Sequence, residues 1–125
     1  MKFDEYRRLD ATALAQLVAR RQVTADELLD VAMARLEQVN PLLNSVIIRL
    51  DERARARAKQ NLAGPFAGVP FLTKDLFQEI EGAPNYNGCQ ALKRAGHVAP
   101  ANAEITQRWL DSGVVIFGRT STPEF

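Results

Sequence analysis

Lys74 is the residue whose setting most invites chemistry. It closes the stretch Val69-Pro70-Phe71-Leu72-Thr73-Lys74, so its stem begins among apolar neighbours. Ahead of it lies Gly64-Pro65-Phe66-Ala67-Gly68-Val69-Pro70, whose glycines and prolines can hold one backbone shape with little entropy to lose. A lysine after a strand is ordinarily a solvated surface charge. One that starts in a buried layer can be stripped of water, and desolvation favours the uncharged amine. An uncharged amine accepts a proton and can serve as a general base.

A base needs something to activate, and Ser45, Ser112, Ser121 and Cys89 are the candidates. Ser45 precedes a strand and Ser112 lies at a helix end beside Gly113, so both are explained as turn or cap residues. Ser121 follows a strand end and reads first as a turn serine. Cys89 lies in a glycine-bearing loop from which it could approach Lys74. Its plainer reading is a small buried apolar residue. His97, the one histidine, precedes Val98-Ala99-Pro100 in a loop and reads as a surface residue, which leaves a Ser-His-Asp arrangement without support. One histidine and one cysteine do not make a zinc site. Gly64, Gly68, Gly82 and Gly88 match neither a Walker nor a Rossmann phosphate loop. A Schiff-base enzyme would need Lys74 alone, but nothing suggests a carbonyl or phosphate pocket.

The elements that position these residues follow from periodicity and punctuation. Asp10 predicts a helix start, with Leu14, Leu17 and Val18 at helical spacing and an end near Arg21. Thr24-Ala25-Asp26-Glu27 is a capping box that opens a second helix, with Leu28, Leu29, Ala32, Leu36 and Val39 as its stripe. Asn40-Pro41 is expected to stop it, because proline disfavours helical geometry in the residue before it. The short link suggests a helical hairpin. Residues 44–50 read as a strand. Asp51 is expected to cap a third helix reaching about Asn61. Its thin apolar side (Ala54, Ala58, Leu62) predicts a surface position, and Arg53, Arg55, Arg57 and Lys59 predict a solvated face.

Residues 71–73 read as a short buried strand and residues 78–100 as irregular chain. Asn102 is expected to cap a helix through Asp111, with Ile105 and Trp109 inward and Gly113 as a left-handed C′ residue. Val114-Val115-Ile116-Phe117 is a continuous apolar run, as in a fully buried parallel strand. Helix, glycine, buried strand is the rhythm of an α/β sheet. Gly118 to Phe125 then leave that strand with no closing helix, so the sequence reads as a truncation: residues 1–125 as an N-terminal fragment of a single domain.

Composition excludes several classes. The 125 residues are 46% hydrophobic and 25% charged, ordinary globular values that argue against disorder. Lys+Arg 16 against Asp+Glu 15 gives +1, no field for nucleic acid or an anionic membrane. A single cysteine allows no internal disulfide and suits a reducing compartment. The charged start Met1-Lys2-Phe3-Asp4-Glu5 lacks the apolar core of a secretory signal, and no apolar run reaches membrane-span length. A soluble cytoplasmic protein is expected.

Several motifs, in order, resemble one family. Gly64-Pro65-Phe66-Ala67-Gly68-Val69-Pro70-Phe71-Leu72-Thr73-Lys74-Asp75 resembles the segment that carries the catalytic lysine of amidase-signature enzymes. Gly82-Ala83-Pro84-Asn85-Tyr86-Asn87-Gly88-Cys89 resembles that family's next loop, and residues 109–125 its following helix and strand. The opening helices, and Val39-Asn40-Pro41 through Asn44, also fit its N-terminus. The likeness covers almost the whole chain. Around Lys74 the wording is similar to that of nylon-oligomer cyclic-dimer hydrolases and general amidases.

The resemblance implies an α/β fold, the N-terminal part of the amidase-signature fold: a helical hairpin, then strands of a mixed sheet with flanking helices. It implies hydrolysis of a small-molecule amide by a Ser-cisSer-Lys triad with Lys74 as catalytic lysine, and no metal or organic cofactor. In the family the lysine takes a proton through a bridging serine, a second serine forms an acyl-enzyme, and backbone N–H groups hold the oxyanion. Two departures stand out. Asn85-Tyr86-Asn87-Gly88-Cys89 replaces a loop that often reads Thr-Thr-x-Gly-Ser, and Arg119 stands where a lysine is usual. The segment holding both serines is expected beyond Phe125, so these 125 residues alone are expected to be inactive. The alternative is a non-catalytic remnant or interaction module of the same fold. Either way, a small sheet with open edges predicts self-association or dependence on a partner fragment.

Overall fold

The first two long helices start at side chains that satisfy backbone N–H groups at the helix ends. The computed structural model describes residues 1–125. After a short helix α1 (Phe3–Tyr6), α2 (Ala11–Ala19) begins where the Asp10 carboxylate accepts the Ala13 N–H at 2.8 Å. Helix α3 (Ala25–Leu43) opens on the expected capping box. There Glu27 N–H donates to Thr24 Oγ1 (3.1 Å) and Thr24 N–H donates to Glu27 Oε2 (2.8 Å).

Helix α3 does not stop at Asn40-Pro41. It continues to Leu43 and ends on Asn44, which is left-handed (φ 46°) and donates its N–H to Asn40 O at 2.7 Å. Proline removes one helical hydrogen bond, and a tertiary tie outweighs that loss here. Asn40 Nδ2 donates to Val46 O (2.9 Å) and Asn40 Oδ1 accepts Val46 N–H (2.9 Å), as a neighbouring strand would.

The sheet has three strands: β1 (Val46–Arg49), β2 (Pro70–Lys74) and β3 (Val115–Thr120), in the order β1-β3-β2. β2 runs parallel to β3 and β1 antiparallel, so the sheet is mixed. The central strand is buried on both faces, which is why its sequence is continuously apolar. Its residues alternate between two cores. Val115 and Phe117 join Leu29, Met33 and Leu36 of α3 on one side. Val114 and Ile116 join Ile80 and Ala83 on the other, with Phe71, Trp109 and Leu110 packed around them. A third cluster joins Leu14 and Ala15 of α2 to Leu28 of α3 and to Val69, just before β2.

Helix α4 (Asp51–Ala58) departs from expectation in two ways. Its N-cap is Leu50, not Asp51, and Asp51 instead grips Arg49 through both oxygens (2.9 and 2.7 Å). Nor is α4 a mere surface helix. Ala54 is fully buried and Ala58 nearly so, because small side chains let its backbone approach the sheet. Its arginines are not simply solvated either. Arg55 pairs with Asp26 (3.0 Å) and Asp30 (2.5 Å) of α3. Arg53 donates to Glu81 O at 2.7 Å. Arg57 donates to Val114 O (2.8 Å) and Leu110 O (2.6 Å), and burial pushes its guanidinium below the ordinary value while Asp111 acts the other way.

Residues 78–100 include one short helix, α5 (Gln90–Arg94), that the sequence reading left irregular. Helix α6 (Glu104–Asp111) is capped at Ala103 rather than Asn102. Asn102 Oδ1 accepts the Glu81 N–H instead, at 2.8 Å. Its inward face is Thr106, Trp109 and Leu110, whereas Ile105 is 44% exposed. Trp109 turns in because Phe71 offers a tilted aromatic partner at 5.2 Å. The loop before β2 is fastened to the start of β3: Phe66 N–H donates to Ser112 O (2.8 Å), Gly68 N–H to Gly113 O (2.9 Å), and Val115 N–H to Val69 O (2.8 Å). No helix is long and apolar enough to cross a membrane.

Candidate active site

Lys74 is the last residue of β2, in register with Thr120 of β3. Thr73 behind it is buried, and the next N–H, that of Asp75, donates to Thr120 O at 3.0 Å. The Lys74 side chain is exposed, so residues 1–125 do not themselves provide the dry surroundings expected for its amine. What they provide is a fixed backbone. Lys74 N–H donates to Gln78 Oε1 at 2.6 Å, and Lys74 O accepts from Arg119 Nη2 at 3.1 Å.

Arg119 is the centre of this arrangement. Its side chain has no solvent exposure, and neither has that of Asp75, whose Oδ1 accepts from Arg119 Nε at 3.2 Å. Arg119 Nη1 donates to Gln78 O at 2.6 Å, and Nη2 also donates to Asn85 Oδ1. Burial pushes the guanidinium below its ordinary value, while the charge and hydrogen bond of Asp75 act against that shift. Taking this ion pair out of water is costly, and further hydrogen bonds to its members offset part of that cost. Asp75 Oδ1 takes a further bond from Tyr86 N–H (3.0 Å), and Oδ2 has no partner. Asn85 Nδ2 donates to Asn87 Oδ1 at 3.3 Å, and Phe77 N–H donates to the same oxygen at 3.0 Å. Phe77 (φ 51°) and Asn87 (φ 49°) are both left-handed, which costs a bulky aromatic more than an asparagine.

The other candidates are scattered. Ser112 Oγ donates to Trp109 O at 2.6 Å, the cap role expected of it. Ser45 Oγ lies 3.4 Å from Asn40 Oδ1, in the turn before β1. Ser121 is exposed, and its N–H donates to Ser45 O at 2.7 Å. Cys89 is half-buried at the start of α5 rather than fully buried. Cys89 and Ser121 both line a cavity of about 260 Å³, with Asp75, Tyr86 and Thr122. His97 is exposed and bonds through its backbone, its N–H donating to Leu92 O at 3.0 Å and its carbonyl accepting Asn85 N–H at 3.3 Å. No group of three or more His, Cys, Asp or Glu side chains could hold a metal ion.

The sequence singles out Lys74 as a candidate but gives little sign of the shell behind it. Asp75 passed as a neighbour, Asn85 and Asn87 as loop residues, and Arg119 as a retained charge. The available signal was two asparagines spaced by one residue beside Gly88, with an arginine inside an otherwise apolar strand.

Comparison with known proteins agrees with this architecture. A family model described as Amidase matches residues 27–125. The 6-aminohexanoate-cyclic-dimer hydrolase of Paenarthrobacter ureafaciens is 43% identical over 115 residues, covering 92% of this chain and 23% of that protein. A lipoamidase of Enterococcus faecalis is 37% identical over 122 residues, covering 96% of this chain and 17% of the relative. Among solved structures, a 6-aminohexanoate cyclic dimer hydrolase superposes with a TM-score of 0.87 at 41% identity, over 93% of this chain and 24% of that one. A bacterial aryl acylamidase of the amidase-signature enzymes superposes at 0.81 with 28% identity, over 92% of this chain and 25% of that one. The chain thus spans no more than a quarter of the length of these relatives. A parallel β2–β3 pair ending in a braced lysine, inside a segment that the family model covers from residue 27 to residue 125, leaves one assignment: the chain belongs to the amidase-signature family.

Proposed function

We propose that Lys74 is the general base of an amide hydrolase and that the nucleophile it serves lies outside these 125 residues. The observation that carries this is the bracing of Lys74 at the C-terminal end of β2, where both of its backbone polar groups are held by side chains. In this scheme the amine takes a proton through a bridging serine as a second serine adds to the amide carbonyl. The amine product leaves carrying that proton. Water then cleaves the resulting ester, releasing the carboxylic acid and restoring the hydroxyl. Of this chain's serines, Ser112 is bonded to Trp109 O, Ser45 sits in the turn at Asn40, and Ser121 is exposed with its N–H on Ser45 O. Relatives named as cyclic-dimer hydrolase and lipoamidase support a small carboxylic amide as substrate.

The test compares the product of the gene's complete reading frame with the 125-residue chain, on a simple aryl amide. Lys74→Ala is expected to abolish turnover in the former. The short chain is expected to be inactive, since loss of a serine nucleophile costs roughly a million-fold in another hydrolase. Full turnover by the complete Lys74→Ala product removes the base assignment. Turnover by the short chain that Lys74→Ala abolishes overturns the separation of base and nucleophile.

A further inference from the structure

We infer that Arg119 is a positioning residue, clamping the backbone of Lys74 so that its amine leaves the sheet in one direction; this rests on Lys74 being the base. Among residues 1–125, β2 pairs with β3 alone. The backbone of its last residue is held further by a closed ring of hydrogen bonds. Arg119 Nη2 holds Lys74 O at 3.1 Å, Arg119 Nη1 holds Gln78 O at 2.6 Å, and Gln78 Oε1 returns to Lys74 N–H at 2.6 Å. Arg119 Nε is anchored on Asp75 Oδ1 at 3.2 Å, and Asn85 Oδ1 takes a further bond from Nη2.

Arg119 has no solvent exposure, so it cannot touch a substrate and acts only through Lys74. Its planar guanidinium addresses four acceptors at fixed angles. Placement matters because a misplacement of about 1 Å can cost a reaction about a hundredfold.

Arg119→Met in the 125-residue chain, followed by NMR amide exchange, tests this directly. The N–H of Lys74 is expected to exchange faster by about tenfold, the factor for losing one hydrogen bond to a charged group, relative to buried core amides such as Leu29 and Val115. A purely structural arginine would speed all of these amides by one common factor, and that result overturns the inference. So does unchanged Lys74 exchange. If Arg119→Met fails to fold, the double variant D75N/R119M, which removes both buried charges together, is read in the same way. In the complete gene product, Arg119→Met is expected to lower kcat by tenfold or more with KM little changed. Lys74→Ala run alongside separates the two ideas. Activity that survives Lys74→Ala removes the base assignment, while activity lost in Lys74→Ala but kept in Arg119→Met removes the clamp alone.

Discussion

Gly113→Ala tests how the loop before β2 is held. Gly113 (φ +92°) and Gly64 (φ +115°) lie in two segments that interlock by backbone alone. A Cβ on Gly113 would sit 2.5 Å from Ala63 O and 2.7 Å from Ala67 Cα; one on Gly64 would sit 2.5 Å from Ser112 C and O. Every obstacle is main chain, so no side chain can swing aside. Gly96 provides the control, being left-handed too (φ +64°) with nothing within 4 Å of its Cβ position. Left-handed backbone alone costs an alanine about 1–2 kcal/mol. Crowding a packed interior adds about 1–3 kcal/mol. Gly96→Ala should therefore lose about 1–2 kcal/mol and Gly113→Ala about 2–5 kcal/mol, from these two sources combined. With a urea slope of about 1–3 kcal/mol/M, Gly113→Ala should lower the unfolding midpoint by about 0.7 M or more. Gly64→Ala added to it should cost less than the sum of the two, since both open one contact. Equal midpoints for Gly113→Ala and Gly96→Ala would refute the interlock.

Two further outcomes follow from the helices. Glu27 is held below its ordinary value of 4.5 by hydrogen bonds from the backbone and then the side chain of Thr24. The folded value lies below the unfolded one, so the stabilisation is complete above about pH 5 and is lost as pH falls through the lowered value. Glu27→Gln should flatten this acid limb in pH-dependent urea midpoints, and an unchanged limb counts against the capping box. Leu29→Ala, at a fully buried position in the α3 face of the core, should lose about 2–5 kcal/mol by thermal or chemical unfolding. A loss under about 1 kcal/mol would mean that the site collapses freely around the truncation.

Local chemistry alone determined much of this protein. Asp10 and Thr24 cap helices because their oxygens reach a backbone N–H three residues on, a contact independent of the rest of the chain. Val114 to Phe117 declared a doubly buried strand by lacking polar residues, and Gly113 its left-handed entry. Lys74 was visible because a charge ends an apolar run after a stiff loop. Tertiary structure decided what local pattern could not. Helix α3 runs through Pro41 because Val46, six residues beyond Asn40, holds that asparagine. Arg53, Arg55 and Arg57 each cross to another element, though their spacing alone describes a solvated face. The clamp on Lys74 joins positions 74, 75, 78, 85 and 119, brought together only when β2 pairs with β3. A buried guanidinium is stable only where acceptors from distant segments surround it, and no window of sequence contains that condition.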